Sequence, residues 1–234
     1  MAPSPPPPNR VAPVPPRGIR SYTTRDESTS TLTQLGKPAL DLPATAHVVR
    51  TAVLQERPGR AGASRQIVWQ EPQFQSLTPD AVVEWPPGLD ATLPITVQVG
   101  PQGNLAKVWW PAAWAHAGLA EAAYDLNLTL LFPVPGEAEV HRMIHEQVLG
   151  RPLLWTLREE WRTVSQSGTM VTLHYESSGT TTGGRRLASG QVRFDSSTRQ
   201  VMQAEATEST HLRLPWSKHL TIDQTVVRWI VIRP

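Results

Sequence analysis

The sequence predicts a mainly β fold of the α+β class, in which two short mid-chain helices pack on a curved antiparallel sheet. Apolar and polar residues alternate over long stretches of residues 163–232, as they do in strands with one buried and one wet face. Clusters of Gly, Ser, Asp and Thr separate these stretches, which is typical of hairpin turns. All-β domains as long as this 234-residue chain commonly have a single core.

The first 18 residues form a Pro-rich segment that precedes the predicted domain, residues 19–234. Pro at this density blocks helices and sheet ladders, so we expect a disordered linker. It resembles the tether that follows the lipidated Cys of bacterial lipoproteins. One hypothesis is that a signal peptide and such a Cys precede residue 1. The alternative is a cytosolic protein with a disordered Pro-rich arm that binds partners.

The first half of the folded part reads as strands joined by turns. Strands are predicted over residues 22–35, 46–54, 64–70, 81–85, 95–100 and 105–110. The turn residues Arg57-Pro-Gly-Arg-Ala-Gly join the second and third of these strands, and Pro101-Gln-Gly-Asn joins the last two. Both pairs are therefore predicted to be hairpins.

The mid-chain region predicts helix, strand and helix in turn. Residues 112–123 are Ala-rich with apolar spacing near 3.6, and Pro111 suits a first helical turn. Residues 124–132 alternate Leu with polar residues, which predicts a strand. Residues 137–149 carry acids early and are followed by Gly150, which predicts the second helix.

The C-terminal half predicts long antiparallel strands. Their expected bounds are residues 153–164, 169–177, 187–194, 200–214 and 220–232. The last strand differs from the others because Val227, Trp229 and Val231 make its second face apolar as well. Both faces of that strand are therefore expected to be covered.

Composition excludes several classes of function. Only three of the 22 basic residues are Lys, the net charge is +2, and no basic cluster is interleaved with aromatic residues, so nucleic-acid binding is not expected. The absence of Cys excludes disulfides and thiolate zinc sites. No apolar stretch approaches the ~20 residues of a spanning helix, so the membrane is expected to be reached only through a lipid anchor preceding the chain.

The sequence motifs favour neither an enzyme nor a metal protein. On a helix, His141 and His145 would share a face at zinc-ligand spacing, but Arg142 stands where the zinc-protease motif has Glu. Adjacent Glu159 and Glu160 would point to opposite faces of a strand. The stretch Gly183-Gly-Arg-Arg could bind an anion, although a hairpin tip is the preferred interpretation. No catalytic residue, metal or cofactor is therefore predicted.

The nine Trp residues outnumber the three Phe and the three Tyr. Most are expected to be core anchors, because each buries a large apolar area. The alternative is that some line a groove for an apolar ligand. The candidate ligand-binding residues are Trp109, Trp110 and Trp114, where a strand meets a helix, and Trp229 on the last strand.

The hairpin that runs from Gly190-Gln-Val-Arg-Phe-Asp into Gln200-Val-Met-Gln-Ala-Glu resembles those of bacterial envelope lipoproteins and lipoprotein carriers. That resemblance implies a half-barrel sheet closed by helices, a concave face for acyl chains or an apolar partner, no cofactor, and a periplasmic or envelope location. The predicted function is a non-enzymatic binding or scaffolding domain. The alternative is a soluble component of a larger assembly that docks through a sheet edge or the Pro-rich arm, and the alternative location is the cytoplasm.

Overall fold

The structure is a computed structural model that describes residues 18–34, 37–38, 45–59, 64–79, 93–101, 103–113, 122–148, 151–217 and 219–233. Within these ranges one helix, α1 (Ala122–Leu131), packs on a sheet of twelve strands. The strands are β1 (Arg20–Gln34), β2 (Lys37–Pro38), β3 (Thr45–Pro58), β4 (Ser64–Ser76), β5 (Ile95–Val99), β6 (Leu105–Trp109), β7 (Ala138–Val148), β8 (Arg151–Ser167), β9 (Met170–Thr181), β10 (Gly184–Asp195), β11 (Gln200–Arg213) and β12 (Leu220–Ile232).

The sheet joins the two halves of the chain at its centre. Its order is β6-β5-β4-β3-β1-β12-β11-β10-β9-β8-β7, with β2 beside β1. Neighbouring strands are antiparallel, and the first and last long strands pair over thirteen positions, with Arg25 opposite Trp229. The sheet curls into a half-barrel, so its two faces are an inner, concave face and an outer, convex face.

The main core lies between the inner face and α1. Four of its large buried side chains, Trp161, Tyr22, Tyr175 and Phe194, come from strands of both halves of the sheet. In α1 every side chain from 126 to 131 is buried. A helix surrounded in this way must be apolar all round or have its polar groups paired.

The prediction of a strand over residues 124–132 is wrong, because α1 covers most of this segment. The period-two pattern placed Asn127 and Thr129 on a wet face, but both are buried. The Asn127 amide nitrogen lies 3.5 Å from Asp26 Oδ2, and the Thr129 hydroxyl lies 3.5 Å from Glu159 Oε1. The buried polar residues of α1 therefore gave the sequence the same alternation as a strand with one exposed face.

The prediction of a helix over residues 137–149 is also wrong, because this segment is β7. Val140, Ile144 and Val148 recur every four residues, a spacing that fits both one helical turn and two strand periods. Arg142 and Glu146, which share the inner face with them, concealed the alternation. The other predicted helix, residues 112–123, falls mostly on residues 114–121, which lie outside the described ranges.

The predicted hairpins are confirmed. β3 pairs with β4, β5 with β6, and β10 with β11.

On the outer face of β12, Val227 and Trp229 are half-buried and Val231 is exposed. The predicted strand at 81–85 and the Pro-rich residues 1–17 lie outside the described ranges, and no helix within those ranges is long and apolar enough to cross a membrane.

Candidate binding cavity on the inner face

The inner face changes from apolar to charged and back to apolar along its strands. On β11, Val201, Ala204 and Ala206 belong to the main core, Glu208 follows, and Leu212 is apolar again. These residues are all buried. We call the charged stretch the charged band and the second apolar group the end cluster.

The first side of the charged band is built around Asp26 on β1. The strand register places Asp26 opposite both Arg50 on β3 and Arg228 on β12, so the three side chains share one row. Arg50 contacts Asp26 Oδ2 through a guanidinium nitrogen, and Arg228 Nε lies 3.3 Å from Asp26 Oδ1. We call these three residues the Asp26 triad.

The second side is built around Arg186 on β10. Its guanidinium lies 3.1 Å from Glu146 Oε2 and 3.7 Å from Glu208 Oε1. It also donates to the Thr210 hydroxyl at 3.3 Å and lies 4.6 Å from the centre of the Trp155 ring. We call Glu146, Arg186 and Glu208 the Arg186 triad.

Burial changes the acidity of Glu146. It raises the pKa of the Glu146 carboxyl above its ordinary value, although the neighbouring Arg186 guanidinium opposes this rise. The Trp155 indole N–H donates to Glu146 Oε2 at 2.6 Å and also favours the ionised form. Glu146 is therefore held by a cation and a neutral donor inside an apolar surrounding.

The two triads line one cavity of about 220 Å³. The other lining residues are uncharged: Ser28, Val48, Phe74, Gln224 and Val226. Pockets that enclose a whole drug-sized ligand have volumes of ~300–1,000 Å³. This cavity therefore suits the polar part of a larger molecule.

The end cluster adjoins this cavity. Its buried members are Ile144, Leu153, Trp155, Leu157, Leu212 and Leu214, and Val148, Trp216, Leu220 and Ile222 are half-buried against it. Trp155 belongs to the cluster and contacts both Glu146 and Arg186 of the cavity. Apolar surface therefore begins directly beside the charged groups.

Two further groups of buried ion pairs lie outside the cavity. Arg142 on β7 contacts Glu159 on β8 and donates to the Thr129 hydroxyl at 2.7 Å, which fixes α1 to the sheet. At the opposite end of β1 and β3, Glu56 lies 3.7 Å from Arg20 and accepts from the Tyr22 hydroxyl at 3.3 Å. Burial raises the pKa of the Glu56 carboxyl and that of the Tyr22 phenol.

Of the predicted ligand-binding Trp residues that the structure describes, Trp109 and Trp110 lie apart from Trp229. Trp109, on the edge strand β6, is 44% exposed beneath the Lys107 ammonium, and Trp110 is half-buried against the main core. Trp229 lies on the outer face of β12, which four strands separate from β6 in the sheet order. Trp114 lies outside the described residues. That these four Trp residues contact a ligand stays a prediction.

The pair of histidines loses its zinc-ligand geometry because β7 is a strand. Four residues in a strand span ~13 Å, too far for His141 and His145 to share one ion. His141 instead lies 2.7 Å from Glu139 on the exposed outer face. Within the described ranges no group of three or more His, Asp and Glu side chains could hold a metal ion.

Sequence reasoning missed the cavity, although the sequence contains a signal for it. Arg228 stands between Val226 and Ile230 on the inner face of β12, and Glu146 stands between Ile144 and Val148 on that of β7. A charged residue on a strand face that is otherwise apolar must be paired or line a polar site when buried. Several such interruptions on neighbouring strands mark the charged band.

Comparison with known proteins gives a likeness of fold only. No protein-family model matches the chain, and no curated protein matches its sequence. A solved structure titled "Lipid-protein interactions in lipovitellin" matches 92% of this chain with a TM-score of 0.52 and 9% identity. This chain spans 25% of that chain, so the likeness concerns the curved sheet alone. The structure of Pseudomonas aeruginosa OpdQ overlaps 92% of this chain with 6% identity, but its TM-score of 0.21 carries no argument.

Proposed function

We propose that this protein is a non-enzymatic binding domain of the bacterial cell envelope that holds an amphipathic, lipid-like molecule on the inner face of its sheet. The polar part of the molecule occupies the cavity between the Asp26 and Arg186 triads. Its apolar chain lies on the half-buried members of the end cluster. The observation that carries this proposal is that Trp155 contacts Glu146 and Arg186 of the cavity and also belongs to the apolar end cluster.

The fold likeness supports a lipid-like ligand. The lipovitellin structure shares the curved sheet, and its title concerns lipid–protein interactions. The Pro-rich segment at residues 1–18 supports the envelope location, because such segments tether lipoprotein domains. A binding role is preferred to catalysis because the charged side chains of the cavity engage one another as ion pairs, which favours orienting a ligand over transferring a proton.

The experiment is a titration of the delipidated full-length protein with a short-chain phospholipid below its micelle concentration, followed by tryptophan fluorescence. We expect saturable one-to-one binding. Ile222→Asn should weaken binding about tenfold, which corresponds to ~1.4 kcal/mol of lost apolar contact. The matched control is Val231→Asn, since Val231 lies on the outer face of the same strand. No saturable binding, or equal loss in both variants, would refute the proposal.

A second candidate is a structural component of a larger assembly. β7 is an edge strand of eleven residues in the described sheet, and its Met143 side chain is 70% exposed. Long edge strands offer unpaired backbone groups to another chain. Native mass spectrometry distinguishes the candidates, because a defined oligomer without bound lipid favours assembly and a lipid-loaded monomer favours binding.

A further inference from the structure

The two sides of the cavity differ in their numbers of guanidinium and carboxylate groups. In the Asp26 triad two guanidinium groups lie beside one carboxylate, whereas in the Arg186 triad two carboxylates lie beside one guanidinium. These are counts over the described residues that line the cavity. A molecule inside it therefore meets an arginine-rich side and a carboxylate-rich side.

The curl of the sheet creates this polarity. Arg50 is on β3 and Glu146 is on β7, and six strands lie between them in the sheet order. Both residues nevertheless line the same cavity. The polarity therefore runs across the cavity, and strands that are distant along the sheet supply its two ends.

The charged groups are held in place by burial. The Arg228 side chain is 3% exposed, and those of Asp26, Arg186 and Glu208 are each 7% exposed. Electrostatic interactions are stronger at such sites than in water, and preorganised charges need no rearrangement to meet a ligand. A guanidinium has five N–H donors and can serve several acceptors at once, and both Arg50 and Arg228 line the cavity.

We infer that the cavity receives a zwitterionic group, with a phosphate against Arg50 and Arg228 and an ammonium against Glu146 and Glu208. This inference rests on the proposed function, because it names the polar part of the proposed amphipathic ligand. The volume of about 220 Å³ equals that of roughly seven waters at ~30 Å³ each. A phosphate joined through two carbons to an ammonium has a similar number of heavy atoms.

The test compares head groups at constant chain length. The full-length protein is titrated by calorimetry with dihexanoyl phosphatidylethanolamine, with dihexanoyl phosphatidylglycerol, and with free phosphoethanolamine. We expect the zwitterionic lipid to bind at least about tenfold more tightly than the anionic lipid, because only its ammonium meets the carboxylate-rich side. Measurable binding of free phosphoethanolamine, weaker than that of the zwitterionic lipid, would assign the head-group contact directly to the cavity.

Two variants assign the two ends of the zwitterion. Glu208→Gln should bring the two lipid affinities to within about threefold of each other, whereas Arg50→Gln should weaken both lipids alike, since both carry a phosphate. The matched control is Glu205→Gln, an exposed residue on the outer face of the same strand, and it should change neither affinity. A Glu208→Gln variant that keeps the full preference would overturn the inference.

The unmodified protein decides the matter even if a variant fails to fold. Equal affinity for the two lipids overturns the zwitterion and leaves the proposed function standing. Absence of binding to either lipid overturns both.

Discussion

Arg186 is the residue whose removal tests the charged band most directly. Its side chain is 7% exposed, and its guanidinium forms ion pairs with both Glu146 and Glu208. Replacement by Met keeps a long apolar stem and removes the charge. The two carboxylates would then remain buried without their cation, and the Trp155 ring would lose the guanidinium that lies 4.6 Å from its centre.

The expected loss of stability is large. Breaking a buried ion pair by removing one partner destabilises by about 3–5 kcal/mol. This is a substantial part of the 5–15 kcal/mol that typically separates folded from unfolded protein. With a denaturant dependence of roughly 3 kcal/mol per molar urea, the midpoint should fall by about 1 M or more.

The assay is equilibrium urea unfolding followed by tryptophan fluorescence. Arg185→Met is the matched control, because Arg185 is exposed on the outer face of the same strand, and it should change stability by no more than about 0.5 kcal/mol. Adding Glu146→Gln and Glu208→Gln to Arg186→Met should recover most of the loss, since neutral amides do not need the cation. A loss below about 1 kcal/mol in Arg186→Met alone would refute the reasoning.

Two further predictions concern acidity and backbone packing. Burial raises the folded-state pKa of Glu146 above its ordinary value of 4.5. The folded state therefore binds more protons at Glu146 than the unfolded state does. The contribution of Glu146 to stability is present at low pH, and it is lost as pH rises from the unfolded-state pKa through the folded-state pKa. Glu146→Gln should flatten that part of the pH dependence in urea unfolding, and an unchanged slope would contradict the assignment. Gly190→Ala should destabilise by about 1–3 kcal/mol, because its Cβ would lie 2.2 Å from the Glu205 carbonyl oxygen; a melting temperature equal to that of the natural protein would show that the strands separate there at little cost.

The long hairpins of the C-terminal half could be predicted because their alternation is simple. On β11 each inner residue from Ala204 onward is buried, and each outer residue is polar and exposed. Turn clusters such as Asp195-Ser-Ser-Thr mark where the chain reverses. One buried and one wet face give the period-two signal its full contrast.

The mid-chain region could not be predicted because its polar residues are buried. Asn127 and Thr129 of α1, and Arg142 and Glu146 of β7, all face inward and find partners that are distant in sequence. Periodicity assigns polar residues to water, so each of these residues counted against the correct element. The candidate site escaped prediction for the same reason, since an ion pair between β7 and β10 is decided by sheet order and not by local spacing.

The charged band argues for a ligand because stability alone does not favour it. Replacing a buried ion-pair group by apolar residues of similar volume is often neutral or stabilising by about 1–4 kcal/mol. The main core and the end cluster on either side of the band are apolar, so an apolar band would join them into one continuous core. The paired charges instead keep a cavity of about 220 Å³ polar and open between them. A fold that needed only to close its half-barrel would gain by filling that space, whereas a fold that must accept a charged group needs the Asp26 and Arg186 triads where they lie.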